Sequence, residues 1–234
     1  MSIDTEKIVA TPTSTSVTNN LASNNNNDEN EHLLEHKWVL WYRPPSSHSN
    51  QSKSWEGSQT VCFRTETVEN FWRGYRQSLR ITRHHPVNCD YSLFRDNITP
   101  AWEDAFNENG GRWTYNVERR HSNITNISMP QLIEELWLDV MLCLIGEGFD
   151  PYGESIAGGV CGIRANRNPG VNKSDHMGAK IHIWTKNASD TETNTAIGKI
   201  LKECIRAPDG TLTFAPHERE RRGGGNHGNL KITL

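Results

Sequence analysis

Lys37-Trp38-Val39-Leu40-Trp41-Tyr42-Arg43 is a run of aromatic and branched apolar side chains with no turn residue inside it. Such residues fit a pleated, half-buried surface, so the segment reads as a β-strand. Runs of the same kind occupy residues 60–64, 91–94, 112–117, 160–165, 180–185 and 212–214. Most connections between them are too short for a crossover helix, which makes the sheet mainly antiparallel. Three other segments have helical spacing. Thr67 stands as N-cap before Val68, Phe71, Trp72, Tyr75 and Leu79. Ser128 and Gln131 make a capping-box pattern with Pro130 in the first turn, and Gly146 stops an apolar run through Trp137, Leu138, Met141 and Leu142. A third helix starts near Asp190 and carries Ile197, Ile200, Leu201 and Cys204 on one stripe. Helices dispersed among antiparallel strands imply an α+β fold with the helices on one face of the sheet and the other face left for a ligand.

The 234 residues exceed what one core of moderate size needs, and the excess lies at the N-terminus. Residues 1–30 are rich in Ser, Thr and Asn and hold no aromatic residue, so they read as a disordered arm before a single domain at 31–234. The start lacks the basic and apolar pattern of a signal peptide, and no stretch approaches membrane-spanning length. The sequons at Asn50, Asn97, Asn123, Asn126, Asn172 and Asn187 therefore read as incidental to the composition. Five scattered cysteines with no CxxC pair point to reduced thiols in the cytoplasm, with the nucleus as a second compartment. His84, His85 and Cys89 lack a second ligand pair at zinc spacing, so neither a metal nor a cofactor is expected.

A net charge of −3 argues against an indiscriminate phosphate-binding surface. The charge is uneven, however. Acids crowd residues 28–35, whereas Arg112, Arg119, Arg120, Arg164, Arg167, Lys173, Lys180, Arg219, Arg221 and Arg222 lie beyond Gly110. This pattern implies a local basic mouth on a mildly acidic protein.

Pro100-Ala101-Trp102-Glu103-Asp104 places a flat aromatic ring beside a carboxylate. Together they can stack on one nucleobase and accept from two adjacent donors, which suits the N1–H and N2 amino edge of guanine. Tryptophan is more often core than ligand contact, and Trp38, Trp41 and Trp113 sit in apolar runs that assign them to packing or strand faces. Trp55 and Trp102 differ because their neighbours are turn and loop residues. Trp55 is available as the second slice of a sandwich.

The order Trp38-Val-Leu-Trp, Lys53-Ser-Trp55, Val68-Glu-Asn-Phe-Trp72, Asp90-Tyr-Ser-Leu-Phe-Arg, Pro100-Ala-Trp-Glu-Asp, Gly110-Gly-Arg-Trp113, Leu142-Cys-Leu-Ile-Gly-Glu and Ile181-His-Ile-Trp184 resembles the eukaryotic translation initiation factor 4E family, from about His32 onwards. The resemblance implies a curved antiparallel sheet backed by three helices on its convex face, with a pocket for the 7-methylguanosine cap of messenger RNA on the concave face. It implies that Trp55 and Trp102 sandwich the methylated base, that Glu103 reads its edge and that Trp184 touches the methyl group. Arg164 and Lys180, with Arg112 nearby, match positions that bind the cap triphosphate, and Arg219, Arg221 and Arg222 match a C-terminal loop over the phosphates.

On the opposite face, His32, Leu34, Val68, Trp72, Leu138, Asp139 and Leu142 match the patch that docks a helical motif of the initiation scaffold, factor 4G, or of repressors sharing that motif. The implied protein is a non-enzymatic cap reader, monomeric within a heteromeric initiation complex and independent of membranes. The alternatives are a cap-binding repressor of the homologous-protein type, an interaction protein with altered partner specificity and a cap or nucleotide hydrolase. The chain departs from the family pattern in having Leu33 after His32, Asp139 for a customary Glu, a longer loop between Arg164 and Lys180, and Asn226 where a phosphorylatable Ser often stands.

Overall fold

The computed structural model describes residues 31–45, 58–78, 87–117, 127–165, 177–217 and 230–234. Trp55, Leu79, Arg219, Arg221, Arg222 and residues 166–176 lie outside them, so the expectations placed on these residues do too. The strands are β1 (Leu33–Arg43), β2 (Thr60–Thr67), β3 (Cys89–Arg95), β4 (Gly111–Val117), β5 (Ile156–Ala165), β6 (Met177–Thr185), β7 (Leu212–Pro216) and β8 (Ile232–Thr233). The helices are α1 (Val68–Ser78), α2 (Met129–Ile145) and α3 (Thr191–Cys204), with one 3-10 turn at Gly153–Ser155. Residues His32–Leu234 form one compact unit. No helix among the described residues is long and apolar enough to cross a membrane.

The strands form one curved, unclosed eight-stranded sheet in the order β2-β1-β3-β5-β6-β4-β7-β8. Every neighbouring pair is antiparallel. Alternation along the strands divides the sheet into two faces. Leu40, Leu93, Cys161, Ile181, Ile183, Trp113, Tyr115 and Phe214 pack with the buried sides of the helices, including Phe71, Trp137, Met141, Ile197 and Leu201. All three helices thus cover one face. The α+β expectation holds.

Helix starts follow the sequence signals. Thr67 Oγ1 accepts from Asn70 N at 3.2 Å, Ser128 from Gln131 N at 3.4 Å and Asp190 from Thr193 N at 3.0 Å. The capping box at α2 is only half formed, because the Gln131 amide reaches forward to Glu135 at 3.0 Å instead of back to the cap. Several strand bounds also shift. β1 begins at Leu33 through its pairing with Thr67, a tertiary contact that its polar residues Glu35 and His36 do not announce. β5 begins at Ile156 because Gly158 and Gly159, poor strand formers, are tolerated where neighbours come close: a Cβ at Gly158 would stand 2.3 Å from Leu93 O. β6 takes Met177 and Gly178 from the expected loop, and β8 is too short to carry a pattern.

Candidate nucleic-acid interface

The face away from the helices is organised in rows, since paired residues on adjacent strands share a face. One row runs Val39, Phe94, Gly158, Trp184, Arg112, Ala215 across β1, β3, β5, β6, β4 and β7. The next runs Trp41, Ser92, Val160, His182, Thr114, Thr213, and the third Arg43, Asp90, Gly162, Lys180, Asn116. Phe94 and Trp184 thus mark one end of the face, with Arg112 in their row, and Arg43, Asp90 and Lys180 mark the other. Four residues separate Trp184 from Lys180, about 13 Å along a strand.

At the aromatic end Trp184 meets Phe94 edge-on at 5.5 Å and His217 at 4.3 Å between ring centres. Phe94, Ile98, Ala157 and Trp184 form a small cluster of their own, with Phe106 and Val160 against it. Ile98 and Phe106 belong to the loop between β3 and β4, so the cluster anchors that loop beside Trp184. The loop is stitched internally. Asp104 accepts from Thr99 N at 2.8 Å and Phe106 N at 2.9 Å, and the Asn107 amide donates to Thr99 O at 3.0 Å and Ala101 O at 2.8 Å. Ala101 is fully buried and Phe106 half-buried, while Trp102 and Glu103 between them are exposed. A large apolar ring is thus held outward by a fixed turn. The Gln59 amide lies 3.5 Å from Pro100 O, which brings the chain that leads out of residues 46–57 to this same loop.

At the charged end Asp90, only 6 % exposed, binds two guanidiniums. Arg164 lies 2.6 Å from one carboxylate oxygen and also donates to Cys89 O and Ile163 O, while Arg43 Nε donates to the other oxygen at 2.8 Å. The family resemblance assigns Arg164 to a phosphate and gives Asp90 and Arg43 no part. An ion pair between strands 74 residues apart leaves no local signal. Lys180 is exposed and Arg112 half-buried on the same face.

His182 lies between these ends and His217 at the aromatic one, and neither was expected in the site. His182 bonds Thr114 Oγ1 at 3.0 Å, and burial, aided by Arg112, Lys180 and Arg164 against Asp90, pulls its pKa down to about 3. Burial and Arg112 pull His217 down to about 4. Both His217 ring nitrogens and Trp184 Nε1 are buried with no hydrogen-bond partner among the described residues. The sequence shows His217 only as a lone histidine after a strand and His182 only as one polar residue within a strand.

The folded values lie below the ordinary 6.5, so the contribution of each histidine to stability is complete above pH 6.5 and is lost as the pH falls towards its folded value. Each is expected to remove up to about 1.4 kcal/mol per pH unit in that window. Between pH 6 and 4.5, His182→Asn should flatten the decline seen by urea denaturation by about that slope. An unchanged slope would mean that His182 is already protonated in the folded protein.

On the helical side, His32 N and Nδ1 bind the two Glu69 oxygens at 2.9 and 2.7 Å, and Val68 N donates to His32 O at 2.9 Å. These bonds clamp the start of β1 to the first turn of α1 and hold the Glu69 carboxyl down at about 2. Leu33 is 80 % exposed. Trp72 is neither displayed nor fully packed: it is half-buried, edge-on to Phe71 at 5.3 Å and to Tyr75 at 5.8 Å. The Tyr75 hydroxyl bonds Glu134, four residues before Leu138, so the Leu138–Leu142 stripe of α2 faces α1. Asp139 is turned towards the end of α3, beside Arg206.

Residues 33–231 match the family described as eukaryotic initiation factor 4E. The chain belongs to the eukaryotic initiation factor 4E family. It is similar to human eukaryotic translation initiation factor 4E, with 35% identity over 180 residues, 76% of this chain and 71% of the relative. It is similar to factor 4E1 of Drosophila melanogaster at 38% identity over 75% of this chain and 60% of that one. Among solved structures, Ascaris suum eIF4E-3 with the m7G cap superposes with a TM-score of 0.66 at 30% identity, covering 83% of this chain and 95% of that one. Caenorhabditis elegans eIF4E-3 with the 4E-binding protein Mextli and a cap analog gives 0.64 at 31%, covering 80% and 94%. Of the factor 4E positions expected in the ligand site, Trp102 and Glu103 lie on one loop beside Trp184, and Arg112, Lys180 and Arg164 lie on one face of the sheet.

Proposed function

We infer that the chain binds the 7-methylguanosine 5′ cap of messenger RNA and delivers it to the translation-initiation machinery. The observation that carries this reading is the Trp102–Glu103 pair, held outward by a stitched turn beside Trp184 in a factor 4E chain whose similar structures include cap complexes. Trp102 stacks on the base and gains a cation–π component from the methylated ring, while Glu103 accepts from N1–H and the N2 amino group. Trp55 supplies the second ring. It stands four residues before Gln59, whose side chain meets the Pro100 carbonyl, a backbone span of at most about 14 Å from Gln59. Trp184 contacts the methyl group.

The phosphates run towards Arg112, Lys180 and Arg164, whose guanidinium keeps donors to spare beyond its Asp90 contact. Arg219, Arg221 and Arg222 follow His217, which packs on Trp184, by two to five residues, a chain length of up to about 17 Å. Titration of tryptophan fluorescence with 7-methyl-GTP tests the whole reading, and GTP should bind more weakly. Lys180→Ala should lower affinity for 7-methyl-GTP about tenfold, barely alter that for 7-methylguanosine, and shrink the salt dependence. Equal losses for both ligands would place the defect in the base pocket or the fold.

The helical face is the docking surface for a helix of the scaffold factor 4G or of a 4E-binding repressor, with His32, Leu34, Val68, Trp72, Leu138, Asp139 and Leu142 as its residues. Trp72→Ala should abolish capture of such a helix, a loss of at least ~2 kcal/mol, and leave cap affinity unchanged. Retention of the peptide would make Trp72 a packing residue.

We read the chain as a binding protein, not an enzyme, so prolonged incubation should return a cap analogue unaltered. It acts in the cytoplasm, with the nucleus as a second compartment, as a monomer within a heteromeric complex. Residues 1–30 serve as an arm to the domain at 31–234.

A further inference from the structure

The five free cysteines fall into two groups. Cys89 and Cys161 are fully buried, and burial pushes Cys89 up to about 11 and Cys161 further still. Burial also raises Cys62. Cys143 is the exception: a hydrogen bond from the Cys204 thiol outweighs burial and holds it below the ordinary thiol range.

Cys143 lies in the last turn of α2 and Cys204 is the last residue of α3. Both are half-buried, and their thiols are within hydrogen-bond reach across the contact between the two helices. Cys204 Sγ also lies 3.5 Å from Asp139 O, one helical turn before Cys143, which fixes the end of α3 against that stretch of α2. Cys143 lies close to the surface, beneath an exposed residue. Gly148 is exposed, and a Cβ built there would stand 2.6 Å from Cys143 Sγ, so the sulfur sits directly under a residue with no side chain.

We infer that Cys143 and Cys204 form a reversible oxidation site, which a peroxide closes to a disulfide joining α2 to α3. The Cys143 thiolate attacks one oxygen of hydrogen peroxide. The O–O bond breaks, the departing hydroxide takes a proton to become water, and Cys143 is left as a sulfenic acid. Cys204 sulfur then attacks Cys143 sulfur, the S–O bond breaks, and the hydroxyl leaves as a second water with the Cys204 proton. Two thiols lose two electrons and two protons, and one peroxide becomes two waters. A thiol reductant reverses the step. In a reducing compartment such a bond is transient, which suits a sensing role and not a structural one.

The test uses the full chain treated with hydrogen peroxide, alkylated, digested without reduction and mapped by mass spectrometry. The expected result is loss of two of the five thiols together, with a Cys143–Cys204 cross-linked peptide that dithiothreitol dissolves. Without peroxide, Cys143 should alkylate at least about tenfold faster than Cys62, Cys89 or Cys161. Cys204→Ser should abolish the cross-link and leave Cys143 as a sulfenic acid trapped by dimedone. A wild-type protein that oxidises at Cys143 with no link to Cys204, or that links any other pair first, overturns the inference. The wild-type map decides this by itself if the variant folds poorly.

Discussion

Glu103→Gln is expected to weaken binding of 7-methyl-GTP by roughly thirty- to several-hundredfold, about 2–4 kcal/mol. The carboxylate offers two acceptors to the two donors of the guanine edge, and both bonds are strengthened by the charge of the methylated base. The amide keeps the shape of the side chain but turns one acceptor into a donor facing a donor, so one bond is lost and a repulsion takes its place. Glu103 is exposed and lies in a loop whose internal bonds are made by Asp104 and Asn107, so the substitution should leave stability unchanged. Discrimination is the sharper readout. The variant should lose most of its preference for the guanine cap over a 7-methylinosine analogue, which lacks the N2 amino group. A variant with reduced affinity but intact preference would move base reading to another residue.

Trp113→Ala should remove about 3–5 kcal/mol of stability, a large part of the total of a domain this size. Trp113 is fully buried in the middle of β4, packs on Phe214 at 5.4 Å between ring centres, and donates Nε1–H to Asn194 O at 2.8 Å. α3 approaches it so closely that a Cβ at Gly198 would stand 2.3 Å from the indole. Truncation therefore opens a cavity between sheet and helix and leaves a carbonyl unpaired. Trp113→Phe separates the two effects, since it keeps most of the volume and loses only the hydrogen bond, at about 1–2 kcal/mol. Urea denaturation of both variants measures this, and a loss below about 1 kcal/mol for alanine would mean that α3 is docked by other contacts.

The elements were legible because their cues are local. Aromatic and β-branched runs marked seven strands, and Thr67, Ser128 and Asp190 marked the helix starts. Strand order was not legible, because β4 pairs with β6 and β7 and not with the strands preceding it. What depends on order was hidden with it: the charge cluster of Arg43, Asp90 and Arg164, the half-buried His182 against Thr114, and His217 against Trp184. Trp102 and Glu103 stand out in the sequence because a large aromatic ring among turn residues is anomalous in itself. Trp184 looked like a ligand contact only through the family resemblance. Its 7 % exposure and its packing on Phe94 show why spacing alone would have assigned it to the core.

The place of β4 in the sheet matters during synthesis on the ribosome. Its two neighbours, β6 and β7, begin at Met177 and Leu212, so β4 is complete at Val117 and then finds no partner until sixty further residues have been made. At about 5–20 residues per second this interval lasts roughly 3–12 s. Throughout it Trp113, Tyr115 and Val117 are presented with both strand edges open, the condition under which chains associate wrongly. The nascent chain is therefore most exposed to misassembly before β6 emerges. A stall or truncation between residues 118 and 177 should produce the species most dependent on a chaperone, one in which β2, β1 and β3 can already pair while β4 has no neighbour.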